Sequence, residues 1–163
     1  MANQCATFFV DGLHFGVEVL QVQEVIRYQQ MTQVPLAPDV VEGLINLRGQ
    51  IVTALDLRRR LGMPDRPESH LPMNVVVRTD DGAVSLLVDE IGDVVDVQAD
   101  EFEPVPETVR GEVAGLVTGV YKRKERLLLL LDVERAVGLD GDRTSPRGAR
   151  SAGATGSTKS QVN

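Results

Sequence analysis

The feature that most constrains the folding of this chain is an internal duplication. Phe8-Phe9-Val10, Asp11-Gly12, then Phe15, Val17 and Val19 set two alternating apolar runs on either side of a turn dipeptide. Asn74-Val75-Val76-Val77-Arg78-Thr79, Asp81-Gly82, then Val84, Leu86 and Val88 do the same further on. Alternation with period two marks a strand with one buried face, and Asp-Gly supplies the positive backbone angles of a tight turn, so both stretches are expected to be hairpins. Val22 and Val25 continue the first stretch at the spacing with which Ile91 and Val94 continue the second. Val34-Pro35 is then matched by Val105-Pro106, Gly43-Leu44-Ile45 by Gly115-Leu116-Val117, and Leu55-Asp56-Leu57 through Gly62 by Leu131-Asp132-Val133 through Gly138. One such match is easily found in an apolar-rich chain, but five in one order predict a duplicated unit.

Each repeat ends alike: a strand runs into an aspartate able to cap the exposed amides of a short helix, and a glycine past the last turn stops that helix. Small all-β units have edges to hide, and closure into a barrel hides them. Two similar barrels are therefore expected, with approximate lobes 6–62 and 73–139 and a proline-rich connector, Met63–Pro72, between them. The lobe boundaries are left soft because strands can cross from one barrel to the other. Beyond Leu139 the composition turns to Gly, Ser, Thr, Arg and Ala without apolar periodicity, which predicts a disordered tail over 141–163.

Composition narrows the function. The chain has 163 residues, enough to bury a core without disulfides or metal. Cys5, near a disordered-looking amino terminus, is the only cysteine, so no intrachain disulfide and no thiolate metal cage can form, and a reducing cytoplasm fits best. His14 and His70 are the only histidines and neither has a histidine or cysteine partner at ligand spacing. Neither Ser69 nor Ser85 sits in a G-x-S-x-G elbow, and the glycines stand singly rather than in a phosphate-cradling loop, so neither an enzyme nor a cofactor site is expected. Net charge is −7, and residues 80–112 hold eleven acids against Arg110 alone, which argues against a nucleic-acid partner. The start, Met1-Ala2-Asn3-Gln4, has no signal-peptide pattern, and Leu127–Leu131, the longest wholly apolar run, is far shorter than a membrane span, so a soluble cytoplasmic protein is expected.

Most charges read as solvent-facing: Asp89, Asp93 and Asp96 as one face of a strand, Arg58–Arg60 as a helix face, Lys122–Arg126 as a hairpin turn. Arg48 is different. It lies in Gly43-Leu44-Ile45-Asn46-Leu47-Arg48-Gly49, at the entry to an apolar strand, and the stretch matched to it in the second repeat, Gly115–Gly119, has no arginine. Either it pairs with a local acid such as Glu42, or it is an arginine anchor in a protein interface.

Val22-Gln23-Glu24-Val25-Ile26, Val34-Pro35 with Pro38, Gly43 through Gly49 followed by Gln50-Ile51-Val52, the Leu55-Asp56-Leu57-Arg58 ending and Val88-Asp89-Glu90-Ile91 together resemble the CheW family of chemotaxis adaptors. The resemblance covers roughly residues 6–139, departing where Thr53-Ala54 stands in place of the usual proline, and makes 1–140 one CheW-like domain. It implies two intertwined five-stranded SH3-like β-barrels with short helices. It also implies a cytoplasmic scaffold at receptor arrays by the inner membrane, reaching the membrane only through its receptors. Its expected partners are the tip of methyl-accepting chemoreceptors, bound in the groove between the barrels, and the regulatory domain of the histidine kinase CheA at the barrel ends. The positions that match the family's receptor-binding residues are Val22, Glu24 and Arg48, with Val25 as a further apolar contact. An adaptor serving pili rather than flagella is an alternative, as is a module binding a small ligand in the inter-lobe groove. An enzyme acting through the acidic stretch 80–112 would lack a nucleophile and a partnered base.

Overall fold

The computed structural model describes residues 2–138, so the tail expected over 141–163 lies outside the described residues. In order along the chain the elements are β1 (Ala2–Val10), β2 (Leu13–Glu18), a 3-10 turn Val19–Gln21, β3 (Val22–Ile26), β4 (Val41–Leu47), β5 (Gln50–Asp56) and α1 (Leu57–Arg60). Then come β6 (Met73–Thr79), β7 (Gly82–Val88), β8 (Glu90–Gln98), a 3-10 turn Ala99–Glu101, β9 (Phe102–Glu103), α2 (Glu112–Leu116), β10 (Val117–Lys122), β11 (Leu127–Leu131) and α3 (Val133–Val137). They form two sheets, β8-β1-β2-β11-β10-β9 and β3-β6-β7-β5-β4, so the expected all-β class with short helices is found. The sixth strand of the first sheet is the two-residue β9, which pairs only with β10.

The two sheets are the duplicated unit seen twice, with the hairpins exchanged. The hairpin β1–β2 sits among strands of the second repeat, and β6–β7 sits among strands of the first. Each exchange is sealed by a parallel pairing, β2 with β11 and β7 with β5. The equivalence extends to irregularities. Val22 pairs with Val77 and Val25 with Val75 across a bulge, and Ile91 pairs with Phe8 and Val94 with Ala6 across the same bulge. The amide of Asp56 donates to the Val40 carbonyl at 2.7 Å as that of Asp132 donates to Leu116 at 2.8 Å.

This register corrects one match made from sequence. The counterpart of Gly43-Leu44-Ile45 is Gly119-Val120-Tyr121, since Thr32 bridges Leu44 as Glu103 pairs with Val120. Gly115 lies in α2, inside an insertion: four residues separate Pro35 from Val40, but nine separate Pro106 from Leu116. Both true counterparts are glycine for one reason. A Cβ on Gly43 would stand 2.8 Å from the Thr32 carbonyl oxygen, and one on Gly119 would stand 2.7 Å from that of Glu103 and closer still to the Phe102 ring. Gly119→Ala is therefore expected to cost about 1–3 kcal/mol of overpacking, read as a lower denaturation midpoint at unchanged slope.

The first hairpin turns as expected on Asp11 and Gly12, with φ of 50° and 82°. The second is built one residue earlier, on Asp80-Asp81 between paired Thr79 and Gly82. There a threonine side chain holds the turn: Thr79 Oγ1 accepts from the Asp81 amide at 3.1 Å and donates to the Gly82 carbonyl at 2.7 Å.

The core is centred on Phe8, Phe15, Leu57, Leu86 and Leu128, and Val75, Val76 and Val77 are all buried, so β6 is covered on both faces. Cys5, read from sequence as part of a loose terminus, is 1% exposed in β1, packed with Val97, Tyr121 and Leu128. Pairing of β1 on both sides draws the amino terminus into the sheet. Leu36 is the opposite case. It is fully exposed at φ 64°, in a turn where the Ala37 amide donates to the Val34 carbonyl at 3.4 Å. A left-handed backbone disfavours leucine and suits asparagine, so Leu36→Asn is expected to raise the unfolding free energy by about 1 kcal/mol in a denaturant titration.

Candidate functional site

β3 and β4 are the two outer strands of the five-stranded sheet, yet a side chain from the β4–β5 turn reaches β3. Arg48 Nη1 donates to Glu24 Oε2 at 2.9 Å and Nη2 to Oε1 at 3.0 Å, a bidentate fork. The sheet has therefore curled until its edges meet, and this ion pair clasps the seam. Leu47 pairs with Gln50, leaving Arg48 and Gly49 as the central residues of a two-residue turn, at φ of 55° and 88°. Asn46 Oδ1 accepts from the Gly49 amide at 2.9 Å and steadies it. The Arg48 side chain is 80% exposed and that of Glu24 17%, so the carboxylate is the rooted partner and the guanidinium faces outward. Glu42, the local acid considered for Arg48, is taken by Arg59 at 3.3 Å.

The other two sequence candidates, Val22 and Val25, flank Glu24 on β3. Arg78 Nη1 donates to the carbonyls of Leu20 at 3.1 Å and Val22 at 3.0 Å, fixing the start of the strand. Val25 is 40% exposed, whereas Val22 is partly buried. Sequence reasoning missed Ile51, an exposed apolar residue two positions after Gly49 that pairs with Asn46. Its signal was present: Val52 faces the core, so period two puts Ile51 outside.

Related positions on the other sheet are Ile91, Asp93, Val94 and Lys124. The turn Arg123–Arg126 is closed by the Arg123 amide donating to the Arg126 carbonyl at 3.0 Å, which makes Lys124 the counterpart of Arg48 and replaces the Gly115–Gly119 match. Among the described residues no ion pair joins Asp93 to Lys124, so the clasp belongs to one barrel only.

Where the chain passes from one sheet to the other, between β7 and β8, Asp89 gathers a part-buried ionic node. Its carboxylate accepts from Arg58 Nε at 2.9 Å, Arg58 Nη2 at 2.7 Å, Arg66 Nε at 2.9 Å and the Asp11 amide at 2.7 Å. Arg58 also donates to the Pro64 carbonyl at 3.0 Å, and His70 Nε2 lies 3.0 Å from the Asp89 carbonyl oxygen, so the connector is tied to the same point. Burial pushes the Asp89 carboxyl up, but the hydrogen bonds from Arg58, the Asp11 amide and Arg66 outweigh it and bring the pKa from 3.8 to about 2. Reading Asp89 and Arg58 as solvated faces is thus corrected: each side chain is only 11% exposed, because each neutralises the other.

Among the described residues no cluster of three or more His, Cys, Asp or Glu could hold a metal, and no helix is long and apolar enough to cross a membrane. His14 is stacked on Phe9 at 4.6 Å, and burial, then the charges of Arg126 and Arg123, lower its pKa.

Residues 4–140 match the CheW-like domain. The chain is 32% identical over 125 residues to the chemotaxis protein CheW of Bacillus subtilis, covering 77% of this chain and 80% of that protein. It is 30% identical over 128 residues to CheW of Klebsiella aerogenes, covering 78% and 77%. Its fold matches the crystal structure of the scaffolding protein TtCheW from Thermoanaerobacter tengcongensis with a TM-score of 0.73 at 27% identity, over 80% of this chain and 89% of that one. Duplicated barrels with exchanged hairpins, an outward arginine clasped to the seam of one of them, and a match running from β1 to the end of the described residues converge on one assignment: this chain belongs to the CheW-like domain family of chemotaxis scaffolds.

Proposed function

We propose that this protein is a non-catalytic adaptor that couples methyl-accepting chemoreceptors to the histidine kinase CheA in cytoplasmic signalling arrays, with residues 1–140 as the working domain. The observation that carries this reading is the Arg48–Glu24 clasp. A guanidinium held by two hydrogen bonds and still 80% exposed has lost most of its rotamer freedom before any partner arrives. An acidic, apolar helical tip can add to its free face while Val25 and Ile51 take apolar contact beside it. Val22, Glu24, Val25 and Arg48 are the receptor-binding set in this account, with Arg48 as the charged anchor, Glu24 as the group that aims it, and Val22 bracing the strand.

The kinase's regulatory domain docks at a barrel end, away from the clasp. With both partners engaged, modest contacts add through effective concentration, and a conformational change in the receptor biases the kinase equilibrium through the shared scaffold. No cofactor enters this scheme. A chemotactic output is favoured over a pilus output because the relatives at 30–32% identity are chemotaxis proteins. The test is a pair of calorimetric titrations, one with a receptor-tip fragment and one with the regulatory domain of CheA from the same organism. Each should bind saturably, and prior saturation with one should leave the site for the other open. Mutual exclusion would defeat the adaptor reading.

A further inference from the structure

We propose that the barrel built around β10 and β11 carries a binding site for a small aliphatic carboxylate, in the cavity between the β1–β2 turn, the β10–β11 turn and segment 108–113. The cavity measures about 370 Å³, within the range of roughly 300–1,000 Å³ common for small-molecule sites. Its walls are apolar, formed by Leu13, Val109, Val113, Leu127 and Leu129, and its charged lining groups are Arg110 and Arg126.

Three observations single out this cavity as a ligand site, and the second of them gives the ligand its negative charge. First, Val109, Arg110 and Val113 come from the nine-residue segment 107–115, where the other repeat closes the same connection with four residues. The five-stranded sheet forms without such an insertion, so closure of the fold does not require it. Secondly, neither arginine is ion-paired among the described residues, although the chain carries net charge −7 and Glu107, Glu112 and Glu125 lie within three residues of one or the other. Arg126 is instead laid over the Phe9 ring at 5.2 Å, which orients the guanidinium and leaves its N–H groups free to donate. Thirdly, His14 lines the cavity with a buried Nδ1 that has no hydrogen-bond partner. Guanidinium forks match the geometry of a carboxylate, and an alkyl chain gains by leaving water for the leucine and valine walls.

The test uses the full chain with octanoate and octan-1-ol as probes, followed through the methyl resonances of Leu13, Val113 and Leu127. Octanoate should shift them saturably at a single site, and octanol should bind at least tenfold more weakly. In the double variant Arg110→Gln/Arg126→Gln, which replaces two exposed side chains, octanoate should fall to the level of octanol. The proposal is overturned if octanoate gives no saturable shift, if wild type binds both probes equally, or if the double variant keeps the tenfold preference. It also fails if octanoate leaves those methyls unmoved while the kinase's regulatory domain shifts them, since the cavity would then be a protein dock.

Discussion

Asp89→Ala should lower the unfolding free energy by about 3 kcal/mol, because it takes the shared carboxylate out of a part-buried ionic group and leaves Arg58 and Arg66 only longer carboxylate contacts, to Asp11 at 3.8 Å and Asp56 at 3.5 Å. Arg58 and Arg66, whose side chains are 11% and 8% exposed, would lose their shared carboxylate, and the Asp11 amide would lose its acceptor. In a domain of this size that corresponds to a fall in Tm of roughly 10 °C. The node also sets acid stability. The folded pKa of about 2 lies below the ordinary 3.8, so the stabilisation is fully present above about pH 5 and is lost as pH falls through 3.8 toward 2. Because solvent screens a part-buried group, that shift is worth at most about 2 kcal/mol. Asp89→Asn should therefore show a flatter pH dependence than wild type between pH 5 and 2, measured by urea denaturation at each pH. Parallel acid limbs in the two proteins would remove Asp89 from this role.

The second large effect concerns partner binding. Arg48→Ala should weaken affinity for a receptor-tip fragment by about 2 kcal/mol, roughly 30-fold. Folding stability should change by less than about 1 kcal/mol, because an exposed ion pair contributes little to it. Arg48→Lys should fall between, since lysine keeps the charge but cannot reproduce the fork on Glu24. Fluorescence anisotropy with labelled fragment measures both variants, and equal affinities for wild type and Arg48→Ala would take the arginine out of the interface.

The parts of this fold that were legible in the sequence are those written in short-range periodicity. The strands with their bulge-spaced valines, the capped helix after Asp56 and the duplication itself all follow from patterns within about ten residues. Arg48 and Glu24 were both singled out, but their mutual contact was not, because barrel closure joins positions 24 residues apart. Asp89 was misread for the same reason: its partners lie 31 and 23 residues away and arrive only once the connector has folded back. The Gly43 match slipped onto Gly115 because an insertion had shifted the second repeat and the backbone approach that demands glycine is a tertiary fact. Cys5 looked loose because nothing local shows that β1 is paired on both sides.

The central claim is that this chain joins receptor to kinase, and co-sedimentation with receptor-containing membranes and CheA from the same organism tests it most directly. Wild type should pellet with the receptors, carry CheA with it and raise kinase activity, while Arg48→Ala stays folded in the supernatant. Wild type that remains in the supernatant with both partners present, or pellets without recruiting or activating the kinase, would contradict the account.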